Sequence, residues 1–346
     1  MTPAKIYQYL ILFSMVAITS FIANKSKNAF KPYDEYELIK KYLLNDSPLY
    51  GFNKPKIWIH NKYEINGRKW SSYLSRNSTD LNQPYLHLTI QTIINHCGND
   101  FNICLIDDKT FSNLIPSWDV DLSTLSEPMR HQMREIGMLE LIYYYGGMVV
   151  PNSFVCTKNL LPFYNANTEN GNPFICEKQS RSVNTFSHSD PLLFLPSLFF
   201  FGADKHSECV KEWIEYLKSK YLSGHFSLQR DLTGDTSEWA LKAIQQQKMN
   251  LVSGEWIGTR TAHRAVVGLE ELISETPIPL SPLAVGVYVP GDELLVRHKY
   301  QWFSGMSEQE VLDSSINVSK YIQSSFVDSS SIYGQNYSDK KSVVAL

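Results

Sequence analysis

Side chains able to do chemistry gather in a few short stretches of the chain. FNICLIDD (Phe101–Asp108) is an apolar run ending in two carboxylates, Asp107 and Asp108, and KPKIWIHN (Lys54–Asn61) is another, ending in His60 and Asn61. Carboxylates and an imidazole at such ends can move protons or take the hydroxyls of a ligand; an Asp pair there also caps helices. SHSDP (Ser187–Pro191) sets His188 beside Asp190 in a polar loop, the spacing of an acid–base pair, although neighbours of this kind are more often simply solvated. VRHKYQWF (Val296–Phe303) places Arg297 and Lys299 at alternate positions. Read as a strand, it turns both cations to one face, where a guanidinium fork and an ammonium point charge can hold phosphate, and Trp302 continues that face as an aromatic platform. The ordinary alternative is a strand edge with solvated charges.

Other chemistries lack their signatures. There is no G-x-S-x-G nucleophile elbow and no G-x-x-x-x-G-K-[ST] phosphate loop. The five cysteines, Cys97, Cys104, Cys156, Cys176 and Cys209, form no C-x-x-C pair and have no histidine at zinc-ligand spacing, so they predict no structural zinc and choose no redox compartment. A formal net charge of −3 gives no basic footprint for nucleic acid. With 43% hydrophobic and 19% charged residues, the 346-residue chain has the composition of a folded globular protein.

The elements that must position these groups follow from periodicity. KPKIWIHN is a first strand, QPYLHLTIQTIINHCG an amphipathic helix closed by Gly98, FNICLIDD a second strand, and KTFSNLIP a short helix stopped by Pro116. Strand and helix in alternation predict βαβ units and a parallel sheet, whose ligands lie beyond the carboxyl ends of the strands. Glu127–Tyr145 is a long amphipathic helix with Pro128 in its first turn, ending at Gly146 and Gly147, where the backbone can turn at positive φ and approach a chain or ligand closely. MVVPNSFVC then reads as a strand interrupted by Pro151, which cannot donate a ladder hydrogen bond. Strands are expected at PFICE and SLFFFGA, a helix at SECVKEWIEYLKSKYL, and alternating helix and strand over DTSEWALKAIQQQ, GLEELIS, GVYVP and SEQEVLDSSINVSKYIQSSF.

The N-terminus predicts a membrane anchor. After a flank over residues 1–5, Ile6–Ala23 carries no charge and is about long enough to span hydrocarbon, with poor cleavage sites. Residues 24–53 read as a stem, 54–323 as the folded domain and 324–346 as a disordered tail. The protein is thus expected in a membrane as a single-pass chain, and the flanking lysines leave open whether the domain faces the cytosol or a Golgi or ER lumen. Sequons at Asn45, Asn77, Asn317 and Asn336 permit lumenal glycosylation.

The run from Lys54 to Leu160 resembles the glycosyltransferase family of bacterial capsular-polysaccharide synthesis proteins and fungal initiating mannosyltransferases, through KPKIWIHN, FNICLIDD, the helix ending LIYYYGG and the phrase FVCTKNL. The resemblance implies an α/β fold of GT-A type, a Rossmann-like mixed sheet flanked by helices, with a nucleotide sugar over the first strands and a glycan acceptor as partners. It also implies manganese or magnesium held by two carboxylates after the Gly-Gly; here those positions are Pro151 and Ser153, with Asn152 between them. No metal is therefore expected unless carboxylates elsewhere, from Asp107, Asp108, Asp190 and Glu135, supply a site. Where the family carries an arginine before the glycines, this chain has Met138; where it carries an aspartate, Glu135 keeps an acid. The donor-binding residues implied are His60, Asp107, Gly146, Gly147, Asn152 and Ser153, joined by Arg297, Lys299 and Trp302 from the basic stretch, and the catalytic candidates are Glu135, His188 and Asp190. Three functions stay open: a transferase using side-chain cations, a silent relative that binds a glycan, nucleotide or protein, and a metal-dependent transferase with displaced carboxylates.

Overall fold

The computed structural model describes residues 54–61, 83–116, 118–179, 194–223 and 229–332, within the compact unit Leu43–Leu346. The expected anchor and stem, the sequons at Asn45, Asn77 and Asn336, and His188 and Asp190 lie outside them. Among the described residues no helix is long and apolar enough to cross a membrane.

The fold is mixed α/β, with a six-stranded mixed sheet flanked by helices. β1 (Lys56–His60) and β2 (Asn102–Ile106) form where β-branched and other apolar side chains run continuously, and both are almost wholly buried. α1 (Tyr85–Cys97) crosses between them, so they pair parallel, Lys56 opposite Asn102 through His60 opposite Ile106. α2 (Phe111–Leu114) follows β2, and α3 (Glu127–Tyr145) leads to β3 (Gly147–Val149) on the other side of β1.

α4 (Leu161–Thr168), β5 (Phe174–Gln179) and β6 (Phe194–Ala203) come next, after a short β4 (Phe154–Cys156). α5 (Glu208–Ser223) and α6 (Gln229–Gln245) precede β7 (Asn250–Val252). The sheet order is β2-β1-β3-β6-β5-β7. β6 runs against β3 and β5, while β5 is parallel to β7. β6 alone is therefore reversed, and β1, β2, β3, β5 and β7 present their carboxyl ends along one edge.

The expected break at Pro151 is larger than an interrupted strand. β3 belongs to the six-stranded sheet, whereas β4 pairs with β8 (Gly286–Tyr288) in a separate two-stranded sheet. Alternation along β4 sends Phe154 and Cys156 into the core beneath the large sheet, and Val155 into a second core. That second core is built from α1, α7 (Leu269–Leu272), α8 (Gly291–Val296), α9 (Gln301–Ser304), α10 (Glu308–Asp313) and α11 (Asn317–Ile332). α11 continues to Ile332, past the point where composition predicts loss of order.

Gly146 and Gly147 stand at the amino end of β3, not at its ligand-facing end. Gly147 has φ +96°, and a Cβ there would lie 2.2 Å from the Lys56 carbonyl oxygen. The carbonyl of Gly146 accepts a buried hydrogen bond from Trp58 Nε1 at 3.0 Å. Pairing of β3 with β1 accounts for Gly147, while a Cβ on Gly146, at φ +69°, would meet the Lys205 amide nitrogen at 3.0 Å.

Candidate functional site

The carboxyl edge brings together groups that are distant in sequence. His60 ends β1 and Asp108 follows β2; His60 Nε2 lies 3.0 Å from Asp108 Oδ1. From α3, Arg134 donates through Nε to Asp108 Oδ1 and through a terminal nitrogen to Oδ2, both at 2.7 Å. This is a two-pronged ion pair, the arrangement that a guanidinium makes best with a carboxylate. Burial works against the charged form of Asp108, but the hydrogen bonds from Arg134 and His60, with the charge of Arg134, outweigh it and hold the carboxyl far below the ordinary carboxylate range. The imidazole is set by stacking on Phe111, with ring centroids 5.6 Å apart. Phe111 reaches that position because Gly137 of α3 leaves room: a Cβ there would come within 2.9 Å of the phenyl ring.

Beside this triad lies the segment after β3. Asn152 Nδ2 donates to Asn61 Oδ1 at 3.0 Å, and the Asn152 carbonyl accepts from Thr89 Oγ1 of α1 at 2.5 Å. Ser153 is buried, its carbonyl accepting from Val289 N at 3.1 Å. A Cβ on Gly291 would stand 3.6 Å from that of Ser153 and 2.9 Å from the Tyr85 hydroxyl, so the 289–291 turn closes over Ser153. Neutral residues thus occupy the positions where the resemblance places carboxylates.

Not every expected residue joins the cluster. Asp107 Oδ1 is occupied by its own turn, accepting from the Lys109 and Thr110 amides at 3.0 and 2.9 Å and the Thr110 hydroxyl at 2.6 Å. Glu135 follows Arg134 by one residue, hence about 100° round the helix. It accepts from Thr236 Oγ1 at 3.1 Å and pairs with His131 at 3.5 Å.

The basic stretch is helical rather than extended. Gly291–Val296 forms α8 with Asp292 and Glu293 in its first turn, and His298–Tyr300 is a 3₁₀ turn. Tyr300 and Phe303, three residues apart, both turn inward, which throws Trp302 out to 52% exposure. Arg297 and Lys299 both reach Glu270, at 3.4 and 3.7 Å, so they share a carboxylate on a helical turn and not the open face of a strand.

Arg134 is the group that reading the sequence missed. Its signal was present: it precedes Met138 by four residues and so lies on the same face of α3, one turn earlier.

Among the described residues no three His, Cys, Asp or Glu side chains are placed to hold an ion, and Asp107, Asp108 and Glu135 are each engaged as above.

No family model matches the chain, and no curated protein matches it in sequence. Solved glycosyltransferase structures do resemble it in shape. The PaToxG glycosyltransferase is 14% identical over 66% of this chain and 81% of its own, with a TM-score of 0.33. GlyE of Streptococcus pneumoniae TIGR4 is 10% identical over 81% of this chain and 62% of its own, with a TM-score of 0.34. The galactosyltransferase LgtC, solved with donor and acceptor sugar analogues, is 8% identical over 81% of this chain and 97% of its own, also at 0.34. At that degree of overlap nothing about a residue or a reaction passes from them to this chain.

Proposed function

We propose that the chain is a membrane-anchored protein of GT-A type that binds a nucleotide sugar at the carboxyl edge of its sheet and transfers the sugar to a glycan without a metal held after Gly146-Gly147. The observation that carries this reading is the convergence of His60, Asn61, Asp108, Arg134, Asn152 and Ser153 at that edge, with the last two neutral. Hydroxyl-rich ligands suit amide and imidazole partners, and a locked Asp108–Arg134 pair gives the edge a fixed dipole instead of a mobile charge. A leaving diphosphate still needs positive charge, and neutral oxygens are poor ligands for a hard dication.

A second reading, a silent module that binds a glycan, nucleotide or protein, draws support from the same lock. Asp108 is tied to Arg134 and Glu135 to Thr236 and His131, so neither is a ready general base.

The deciding experiment is calorimetric titration of the full-length protein in detergent with a panel of sugar nucleotides, with and without manganese, followed by assay for free nucleoside diphosphate. Binding with turnover and little effect of manganese supports the first reading. Binding without turnover supports the second, and an EDTA-reversible gain in affinity on adding manganese defeats the metal-free form of both. Carbonate extraction tests the anchor, since release of full-length protein into the soluble fraction would rule it out.

A further inference from the structure

A diphosphate bound at the carboxyl edge needs a cation, and most of the obvious ones are committed or misplaced. Arg134 serves Asp108, Arg297 and Lys299 share Glu270, and Lys56 begins β1 at the opposite edge. Lys178 differs. It is the second-last residue of β5, a strand parallel to β1 and β3 in sense, so it stands at the ligand-facing end.

The surroundings of Lys178 fix its ammonium without neutralising it. Nζ lies 5.5 Å from the ring centroids of both Phe199 and Tyr288, within reach of the attraction between a cation and an aromatic face. The charge is kept on the lysine chiefly by Tyr288, against the effect of burial, with weaker help from Asp292 and Glu293. Among the described residues no carboxylate lies within ion-pair distance of Lys178: Asp292 is exposed on the rim, and Glu293 stands 4.0 Å from Arg297. The neighbouring residue shows what a closed pair looks like here, because Glu177, on the other face of β5, takes Arg260 at 3.1 Å and the Gly254 amide at 3.1 Å.

Lys178 is also linked to the degenerate motif. Tyr288 pairs with Phe154, the residue after Ser153, and the next residue of β8's exit, Val289, donates to the Ser153 carbonyl. The lysine, the phenol and the buried serine therefore belong to one patch, in which Lys178 as a residue is half-buried. A buried charge normally has a charged partner, and one held beside a ligand-facing edge with no close carboxylate among the described residues points to a partner that arrives with the ligand.

We infer that Lys178 is the anion-binding cation of the candidate site, a fixed ammonium that meets the diphosphate of a nucleotide sugar beside Ser153. The assignment of the ligand rests on the sugar-nucleotide reading above; the assignment of the cation does not.

The test uses full-length protein in detergent and three probes: inorganic pyrophosphate, nucleoside diphosphates and the corresponding uncharged nucleosides, all without divalent metal. Lys178→Met should weaken pyrophosphate and nucleoside diphosphates at least tenfold and leave nucleoside affinity unchanged, while Lys178→Arg should stay within a few-fold of wild type. If Lys178→Met does not fold by thermal denaturation, Lys178→Gln keeps the length and a polar tip and is read the same way. A folded Lys178→Met or Lys178→Gln variant that binds diphosphates as tightly as wild type overturns the inference even if sugar nucleotides bind. Wild type that binds pyrophosphate through Lys178 but no sugar nucleotide upholds the cation and sinks the sugar-donor reading. Wild type that binds none of the anions overturns both.

Discussion

Separating Asp108 from Arg134 gives a direct measure of how far the candidate site is preorganised. The pair has two charge-assisted hydrogen bonds of 2.7 Å, and the arginine and aspartate side chains are 10% and 30% exposed. Exposed pairs contribute about 0–1 kcal/mol and loss of one partner of a fully buried pair costs about 3–5, so this intermediate geometry should couple by about 2 kcal/mol. In a cycle of Asp108→Asn, Arg134→Met and the double variant, the single changes should each lower the thermal midpoint by about 4–8 °C, as expected at about 2–4 °C per kcal/mol for a domain of this size. The double variant should lose less than their sum. The pH dependence has a definite sign. Asp108 has a folded-state pKa depressed below its unfolded value, so its stabilisation is complete above about pH 4 and is lost as pH falls toward the folded value. Coupling below about 0.5 kcal/mol at neutral pH and low salt, or coupling unchanged in acid, would refute the argument that this ion pair builds the edge.

Three further outcomes follow from the geometry. Gly147→Ala must place a Cβ 2.2 Å from the Lys56 carbonyl at φ +96°, so β3 should separate from β1 and the protein should lose at least about 3 kcal/mol in denaturant titration or fail to accumulate. Asn317 should carry no glycan in a lumenal expression host when its peptides are analysed by mass spectrometry, because its amide is buried and donates to the carbonyls of Glu271 and Thr276 at 2.8 and 2.6 Å; Asn317→Ala should cost about 1–3 kcal/mol by thermal or denaturant unfolding. Restoring the family pattern with Pro151→Asp and Ser153→Asp should give little manganese binding by calorimetry and a lower thermal midpoint, since Ser153 is 3% exposed under the 289–291 turn and a carboxylate there would be desolvated.

Much of the scaffold was legible in the sequence because apolar runs ending in polar residues carry their own direction. His60 and the Asp107–Asp108 pair fall at the ends of β1 and β2 as expected, and the alternation of strand and helix set those ends on one edge. Which aspartate looks inward was not legible: Asp107 and Asp108 differ only in whether the local turn or Arg134 claims the carboxylate, and the latter is a tertiary contact. The strand reading of VRHKYQWF failed because alternating polarity over a few residues is also compatible with short helical turns, and Tyr300 and Phe303 gain more by sharing one buried face. Lys178 gave no signal in FICEKQ, since its meaning depends on β5 being parallel to β1, a relation set by the single reversed strand β6. Gly146 and Gly147 were legible as backbone devices, but only the packing shows what they approach, Lys205 for Gly146 and β1 for Gly147.

The division of one continuous stretch between two sheets bears on the order in which the chain can mature. β3 can pair with β1 as soon as the first half of the domain is made, but β4 waits for β8, which is synthesised far later. Asn152 and Ser153 lie between those two events, and the 289–291 turn that covers Ser153 comes with the later one. During synthesis the sheet can therefore exist before the candidate site does, and a chain ending before Gly286 would keep the six strands of the large sheet while leaving β4 without its partner and this segment without its second anchor. Chaperone dependence, protease sensitivity and any ligand-assisted folding should accordingly concentrate at the junction rather than in the sheet, so limited proteolysis of nascent or truncated chains should cut first near Pro151.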